Sequence, residues 1–475
     1  VKSAAPQTLA VKRAQVEFHN FASLGEPERV AAAYAAENAR RAGLLLKHRE
    51  FIGRLTPFLE IGANAGHTSY LLANEFGAQG YALDISADAL RHGIALMERF
   101  GWSRAPVRVA GDALSLPFRD GSLRLVLAFQ MLSQFMDVEQ VFLEVKRVLA
   151  PGGVFLFAEE PLRRVLTLRL YRCPYYDHMK PWERKLYDWG LLGFLARDVI
   201  GALQEESFGI RQNHAMGLRD WHRLVARHFS DQRYEIFVAE HGWIDAALAR
   251  LAVRLDPHRS VWRAARLLGG TLAAVCRKAG AAPPAGGPLD SCLRCPDCAA
   301  GLNHQDCALA CPACGYRAVD EGGVYNLLPS AERSELYPGD RDDIIDFSRP
   351  GHERGLGAGW HDVEGVYGNK YRWMGRRAAA RLGRVSAGPQ RLRIRGYAPG
   401  TAFQRRAPVR LSVSVNGDHV GQMKLSRPGL FVFEADVPDA DRYDVEILAA
   451  PVWQAPGDRR DLTVNLSMIR LVPRE

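Results

Sequence analysis

A chain of 475 residues exceeds what one hydrophobic core serves and points to two or three domains. With 47% apolar and 24% charged residues it has a globular composition, which excludes a disordered chain. The net charge of +9 is scattered over many Arg residues, with only short clusters such as Arg163-Arg164 and Arg405-Arg406, so a nucleic-acid partner is not expected.

Residues 1–50 read as an N-terminal helical segment, Ala-rich and periodic around Glu28–Tyr34. From Pro57 short apolar runs alternate with helices, and residues 51–278 form an α/β domain. Its strands are expected at Phe58–Ile61, Gly80–Leu83, Val107–Ala110, Leu123–Phe129, Val154–Ala158 and Tyr234–Val238. Helices are expected near Thr68–Glu75, Ala87–Phe100, Val138–Leu149 and Arg219–His228. Such alternation predicts a mostly parallel sheet covered on both faces. An Ala/Gly/Pro-rich linker follows at 279–289, then a cysteine-rich module at 290–330. Residues 345–475 carry short alternating segments at Arg391–Arg395, Val409–Val415, Phe431–Ala435, Tyr443–Leu448 and Leu462–Leu471. Asn416-Gly417-Asp418 and Arg427-Pro428-Gly429 supply turns, which predicts a β-sandwich.

The strongest chemical signal is Phe58-Leu59-Glu60-Ile61-Gly62-Ala63-Asn64-Ala65-Gly66, a strand running into a glycine turn and then a helix. Gly62 and Gly66 allow tight turning and close approach of backbone to a ligand, beside free N–H groups at the helix start. The spacing Glu-x-Gly-x-x-x-Gly departs from the dinucleotide fingerprint, so a pyrophosphate ligand is disfavoured. Asp84 ends the next strand, 22 residues past Gly62, where a carboxylate can accept from two ribose hydroxyls. Asp112 follows the third strand and can accept from an adenine amino group, with the Ala113 N–H donating to the ring. The fourth strand ends at Phe129-Gln130.

This order resembles a class I methyltransferase of the type 11 group across about residues 55–160, including Arg147-Val148-Leu149-Ala150-Pro151-Gly152-Gly153. The resemblance implies a Rossmann-like fold with S-adenosyl-L-methionine as cofactor. Glu60, Gly62, Asn64, Gly66, Asp84, Asp112, Ala113 and Gln130 would hold it. Where the family often has paired histidines after the fourth strand, this chain has Met131-Leu132-Ser133-Gln134-Phe135.

Methyl transfer needs an aligned acceptor and often a base. Glu159 and Glu160 end the fifth strand, where the pair can bind or deprotonate a hydroxyl or simply mark an acidic helix start before Pro161. His214, in the insertion before the sixth strand, can serve as base, substrate donor or packing residue. Glu160 and His214 are therefore the catalytic candidates. His19, Asn20 and the aromatic-rich stretch 174–194 are weaker acceptor-side candidates.

Of eight cysteines, six fall between Cys292 and Cys314, a crowding that suggests metal and not a disulfide framework. Cys295, Cys298, Cys311 and Cys314 form two Cys-x-x-Cys knuckles 12 residues apart, a spacing that suits tetrahedral Zn²⁺. The module resembles small zinc ribbons appended to methyltransferases, which implies 324–329 as its closing strand. Cys292, His304 and Cys307 are further potential ligands. Four protein thiolates leave no open coordination position, so a structural role is expected. The segment is net acidic, which speaks against phosphate binding.

The C-terminal portion resembles β-sandwich modules attached to polysaccharide-assembly enzymes, with Trp360, Trp373 and Trp453 able to stack on sugars or to fill the core. Arg372, Asp458 and Arg459 can bond hydroxyls. That resemblance implies a small-molecule or glycan acceptor, O-methylation in cell-surface polysaccharide or glycolipid synthesis, and association with assembly enzymes. An RNA methyltransferase and a non-catalytic cofactor-binding scaffold are the alternatives. No run approaches the ~20 apolar residues that cross a bilayer, and Val1-Lys2-Ser3-Ala4 opens no signal-peptide core. A cytoplasmic location without a transmembrane segment is expected.

Overall fold

The computed structural model describes residues 12, 16, 27–135, 137–162, 216–238, 262, 265, 270–281, 288–305, 307–337, 341–347, 351–366, 369–384, 388–403, 408–426, 429–455 and 457–473. They divide into two compact units, meeting in sequence at residues 332 and 333.

The first unit is an α/β sheet. Its strands are β1 (Phe58–Ile61), β2 (Gly80–Asp84), β3 (Val107–Ala110), β4 (Leu123–Phe129), β5 (Leu149–Leu162), β6 (Asp231–Val238) and β7 (Gly270–Arg277). The cysteine-rich segment adds β8 (Asn303–Gln305), β9 (Ala308–Ala310), β10 (Arg317–Val319) and β11 (Tyr325–Asn326). The main sheet runs β11-β3-β2-β1-β4-β5-β7-β6, while β10-β9-β8 form a small sheet of their own. Strands β1 to β5 pair in parallel, and β7 runs antiparallel between β5 and β6. Every residue of β1 and β2 is buried, because helices cover both faces of a parallel sheet.

Four helices pack on this sheet: α1 (Pro27–Lys47), α2 (His67–Glu75), α3 (Ala87–Phe100) and α4 (Val138–Val148), with α5 (Leu218–His228) preceding β6. Local chemistry sets their ends. Ser86 accepts from the Ala89 N–H at the start of α3, and left-handed Gly101 stops it. Asp137 caps α4 by accepting from Gln140. On one face Phe142 meets Phe155, Phe157 and Phe229 at ring-centroid distances of 5.4, 5.7 and 6.0 Å. Strand β7 is absent from the sequence reading, since Gly-Thr-Leu-Ala-Ala-Val-Cys-Arg is a short run of mostly small residues without alternation.

The expected closing strand of the ribbon does touch it, through the Asp320–Tyr325 bridge and the Tyr316 hydroxyl on the Asn326 and Leu328 carbonyls, but it also pairs outside the ribbon. β11 joins the main sheet, pairing Tyr325 with Val109 and Asn326 with Ala110. Leu293, Cys295, Leu309, Cys311 and Leu327 share one buried cluster with Leu59, Leu83, Val109 and Phe118.

The second unit holds β12 (Ile344–Asp346), β13 (Trp360–Val366), β14 (Asn369–Met374), β15 (Arg377–Gly383), β16 (Gln390–Ala398), β17 (Val409–Val415), β18 (Asp418–Leu425), β19 (Gly429–Val437), β20 (Arg442–Ala450) and β21 (Asn465–Pro473). One sheet runs β13-β14-β21-β16-β19, with β12 also on β21; the other runs β15-β20-β17-β18. All their pairings are antiparallel. Alternate residues of β17 and β20 are buried, and Leu411, Val413, Val445 and Ile447 share a core with Leu392, Ile394, Leu466 and Ile469 of the other sheet. Asn416 and Gly417, at φ 53° and 91°, make the tight β17–β18 turn.

Candidate functional site

The turn after β1 is built by backbone conformations that glycine favours. Gly62 and Gly66 sit at φ 66° and 73°, and Asn64 at 51°. A Cβ on Gly62 would lie 2.9 Å from Met131 side-chain carbons, so close packing as well as the dihedral requires glycine. Glu60 points its buried carboxylate at the first turn of α2, accepting from the Ser69 N–H (2.8 Å) and hydroxyl (2.6 Å). It therefore holds the helix start in place.

Asp84 accepts from the Asn64 N–H and the Ser86 N–H, both at 2.8 Å. The carboxylate fastens the glycine turn to the end of β2, and these two bonds use about half of its roughly four lone-pair sites. Asp112 is placed differently. Its Oδ1 accepts from the Leu114 N–H (2.9 Å), and its Oδ2 pairs at 2.7 Å with Lys12 Nζ, both side chains buried. Lys12 also donates to Glu332 at 2.7 and 2.8 Å. Burial opposes the Lys12 charge, but Asp112 and Glu332 outweigh it and hold the ammonium above its ordinary range. Ala113 is buried beside Asp112. Gln130 is exposed at φ 52°, its N–H donating to Ala158 at 3.0 Å.

Helix α1 contributes a polar cluster for which no sequence signal stood out. Arg41 donates to Thr68 Oγ1 and Glu159 Oε2, each at 2.8 Å, and lies 4.4 Å from the centroid of Phe129. His67 Nε2 is 2.8 Å from Arg41 Nη1 and 2.9 Å from Glu37 Oε2; it accepts from the first or donates to the second according to tautomer. Tyr34 stacks on the His67 ring at 4.1 Å. Burial, reinforced by Glu37, pushes the Tyr34 hydroxyl up to about 12. Burial works against ionised Glu37, but His67 and Arg41 hold its carboxyl below the usual range. Asn38 Oδ1 and His67 Nδ1 are buried without a hydrogen-bond partner among the described residues.

Glu160 corrects the expectation of an acceptor-facing acid. It is fully buried, and its carboxylate accepts from the N–H groups of Met131, Leu132 and Ser133 at 2.9, 2.8 and 2.9 Å. Burial pushes its carboxyl up to about 7 against those three donors. It fastens the loop after β4, where the chain has Met131-Leu132-Ser133. Glu159, at φ 64°, turns toward Arg41 instead. His214, His19, Asn20 and the stretch 174–194 lie outside the described residues.

The four sulfurs of Cys295, Cys298, Cys311 and Cys314 lie within 4.8 Å of one another, with Cys295–Cys314 and Cys298–Cys311 each at 3.5 Å. Thiolates about 2.3 Å from a tetrahedral cation are about 3.8 Å apart, so this set fits such an ion. Cys307 is exposed and outside this group, and the other two candidates are engaged elsewhere. Cys292 donates to the Ser122 carbonyl, and His304 pairs with Asp290 at 3.1 Å.

In the second unit the Trp360 indole donates to the Ala379 carbonyl at 2.7 Å, and the half-buried Trp373 and Trp453 pack edge to face at 5.5 Å. Around Trp373 stand Tyr371 and Glu364, with Arg460 joining Glu364 to Asp458. Arg372 spends its donors on the His361 carbonyl, His352 and Glu353.

Residues 59–157 match the family model described as a methyltransferase domain. The chain is similar to norajmaline N-methyltransferase of Rauvolfia serpentina, 27% identical over 128 residues, covering 27% of this chain and 41% of that protein. It is also similar to the fatty-acid O-methyltransferase of Mycolicibacterium smegmatis, 32% identical over 136 residues, covering 27% and 42%. The chain thus spans well under half the length of either relative. A solved structure of geranyl diphosphate C-methyltransferase from Streptomyces coelicolor aligns at 13% identity over 58% of this chain and 100% of that one, with a TM-score of 0.36. No helix among the described residues is long and apolar enough to cross a membrane.

Proposed function

We propose that the protein is an S-adenosyl-L-methionine-dependent methyltransferase that O-methylates a sugar or glycolipid in cell-surface polysaccharide synthesis. The observation that carries the cofactor reading is the glycine turn at Gly62–Gly66 clamped by Asp84, inside the stretch that matches the methyltransferase domain. The residues fit the cofactor: Asp84 keeps acceptor sites for ribose hydroxyls, and Asn38 and His67 offer buried polar atoms beside the turn. When bound, S-adenosylmethionine supplies an electrophilic methyl group on a sulfonium.

The chain's own residues would orient the acceptor and take its proton. Arg41, His67, Glu37 and Glu159 are fixed by one another where α1 meets the starts of α2 and the end of β5, a preorganised polar wall. Glu160 positions the loop 131–133 from beneath. Proton removal is assigned to His214, histidine being the side-chain type most used as a general base at physiological pH. The four-cysteine centre is read as a structural Zn²⁺ site. The glycan acceptor is favoured by the half-buried Trp373, Trp453 and Tyr371 ringed by Glu364, Asp458 and Arg460, an aromatic face with hydroxyl-binding groups around it.

The test is methyl transfer from labelled S-adenosylmethionine into lysate separated into glycan, nucleic-acid, protein and small-molecule fractions. Label in the glycan or glycolipid fraction is the expected result. Label confined to another fraction would overturn the acceptor assignment, and no transfer to any would remove the enzyme reading.

A further inference from the structure

The cysteine centre and the Asp112 loop are connected three times over. At the start of the loop, β11 pairs with the end of β3, and the Leu327 N–H donates to the Ala110 carbonyl at 2.8 Å. At its end, the Arg294 N–H donates to the Pro117 carbonyl (3.1 Å), and the Arg119 N–H to the Cys292 carbonyl (2.8 Å). Arg294 is the immediate neighbour of Cys295. The third link runs through side chains. Asp297, inside the first knuckle, accepts from the Ser330 N–H (2.9 Å) and hydroxyl (2.6 Å). Two residues on, Glu332 holds Lys12, and Lys12 holds Asp112.

We propose that metal occupancy of Cys295, Cys298, Cys311 and Cys314 sets the affinity of the cofactor site by positioning the loop 111–116, with Asp297 and Glu332 as positioning residues. The described strands of the cysteine segment are three residues long and its apolar residues lean on the core of the first unit, so a metal cross-link supplies the energy that fixes the two knuckles and the turns beside them. When the metal leaves, both anchors of the Asp112 loop and the Asp297–Ser330 bond lose their support. The Asp84 side, fastened by Asn64 and Ser86, does not depend on them. This inference rests on the methyltransferase reading of the same site.

Coupling of this kind is reciprocal, and its usual size is about 5- to 150-fold. The test titrates S-adenosylhomocysteine into the zinc-loaded full chain by calorimetry, again after metal withdrawal with a chelator, and once more after zinc is restored. Weaker binding by about 5-fold or more, recovered with zinc, is expected. The same ligand should slow zinc transfer to a chromophoric chelator. Asp297→Ala and Glu332→Gln keep all four cysteines and test the link where the metal-free chain unfolds: each should retain zinc and bind the ligand several-fold more weakly. Unchanged affinity in both variants, with no effect of the ligand on zinc transfer, would overturn the coupling. Failure of the zinc-loaded wild type to bind S-adenosylhomocysteine would instead overturn the function proposed above.

Discussion

Asp84 and Asp112 are both buried carboxylates at the ends of parallel strands, and each accepts from a backbone N–H two residues on, yet their second oxygens are held differently. Asp84 takes two backbone N–H groups from residues no more than 20 positions away. Asp112 takes one local N–H, from Leu114, but its other oxygen depends on Lys12, and through it on Glu332, from opposite ends of the unit. One side of the candidate cofactor site is thus local and self-contained, and the other is an assembly of distant segments. The contrast teaches that a strand-end acid can be equally buried in two places and still answer to different perturbations.

Removing the shared ammonium should have the largest effect. Lys12→Met leaves Asp112 and Glu332 facing each other in a buried setting, at an expected cost of about 4 kcal/mol in urea unfolding. A cost near zero would show that the two sides are not held differently. Leu293→Ala lies in the cysteine segment but shares the core of the α/β sheet, so it should lower the stability of the whole first unit by about 3 kcal/mol. Two separate unfolding transitions, with only the minor one shifted, would show instead that the segment is independent.

A smaller effect concerns acid. Because the folded-state carboxyl of Glu37 is held below 4.5, its contribution to stability is present above that pH and disappears as pH falls through the folded value. The wild type should lose stability below pH 4.5 more steeply than Glu37→Gln, as thermal melts across that range would show. The smallest expected change is in the second unit, where the Arg381–Asp444 pair is exposed on both sides. Asp444→Ala should shift stability by less than about 1 kcal/mol.

The same division governs how much the sequence discloses. β1 to β4, α3 and the Gly62–Gly66 turn were legible because their periodicity and glycines are local signals. The cysteine cluster was legible because its spacing is itself geometric. Strand β7 escaped, since a short run of small residues is ambiguous without its neighbours in the sheet. The insertion of β11 beside β3 was hidden because two residues cannot declare which edge they join. Arg41, His67, Glu37 and Lys12 also escaped. Each is an ordinary charged or polar side chain on a helical stretch until folding brings partners to it from far along the chain.

The most direct test of the central claim is calorimetric titration of S-adenosylhomocysteine into the full chain and into Asp84→Ala, both loaded with zinc. Saturable one-to-one binding by the wild type and loss of about 100-fold or more in the variant is the predicted result, equivalent to ~2.7 kcal/mol. Equal affinity in the two proteins would contradict the placement of the cofactor at the end of β2.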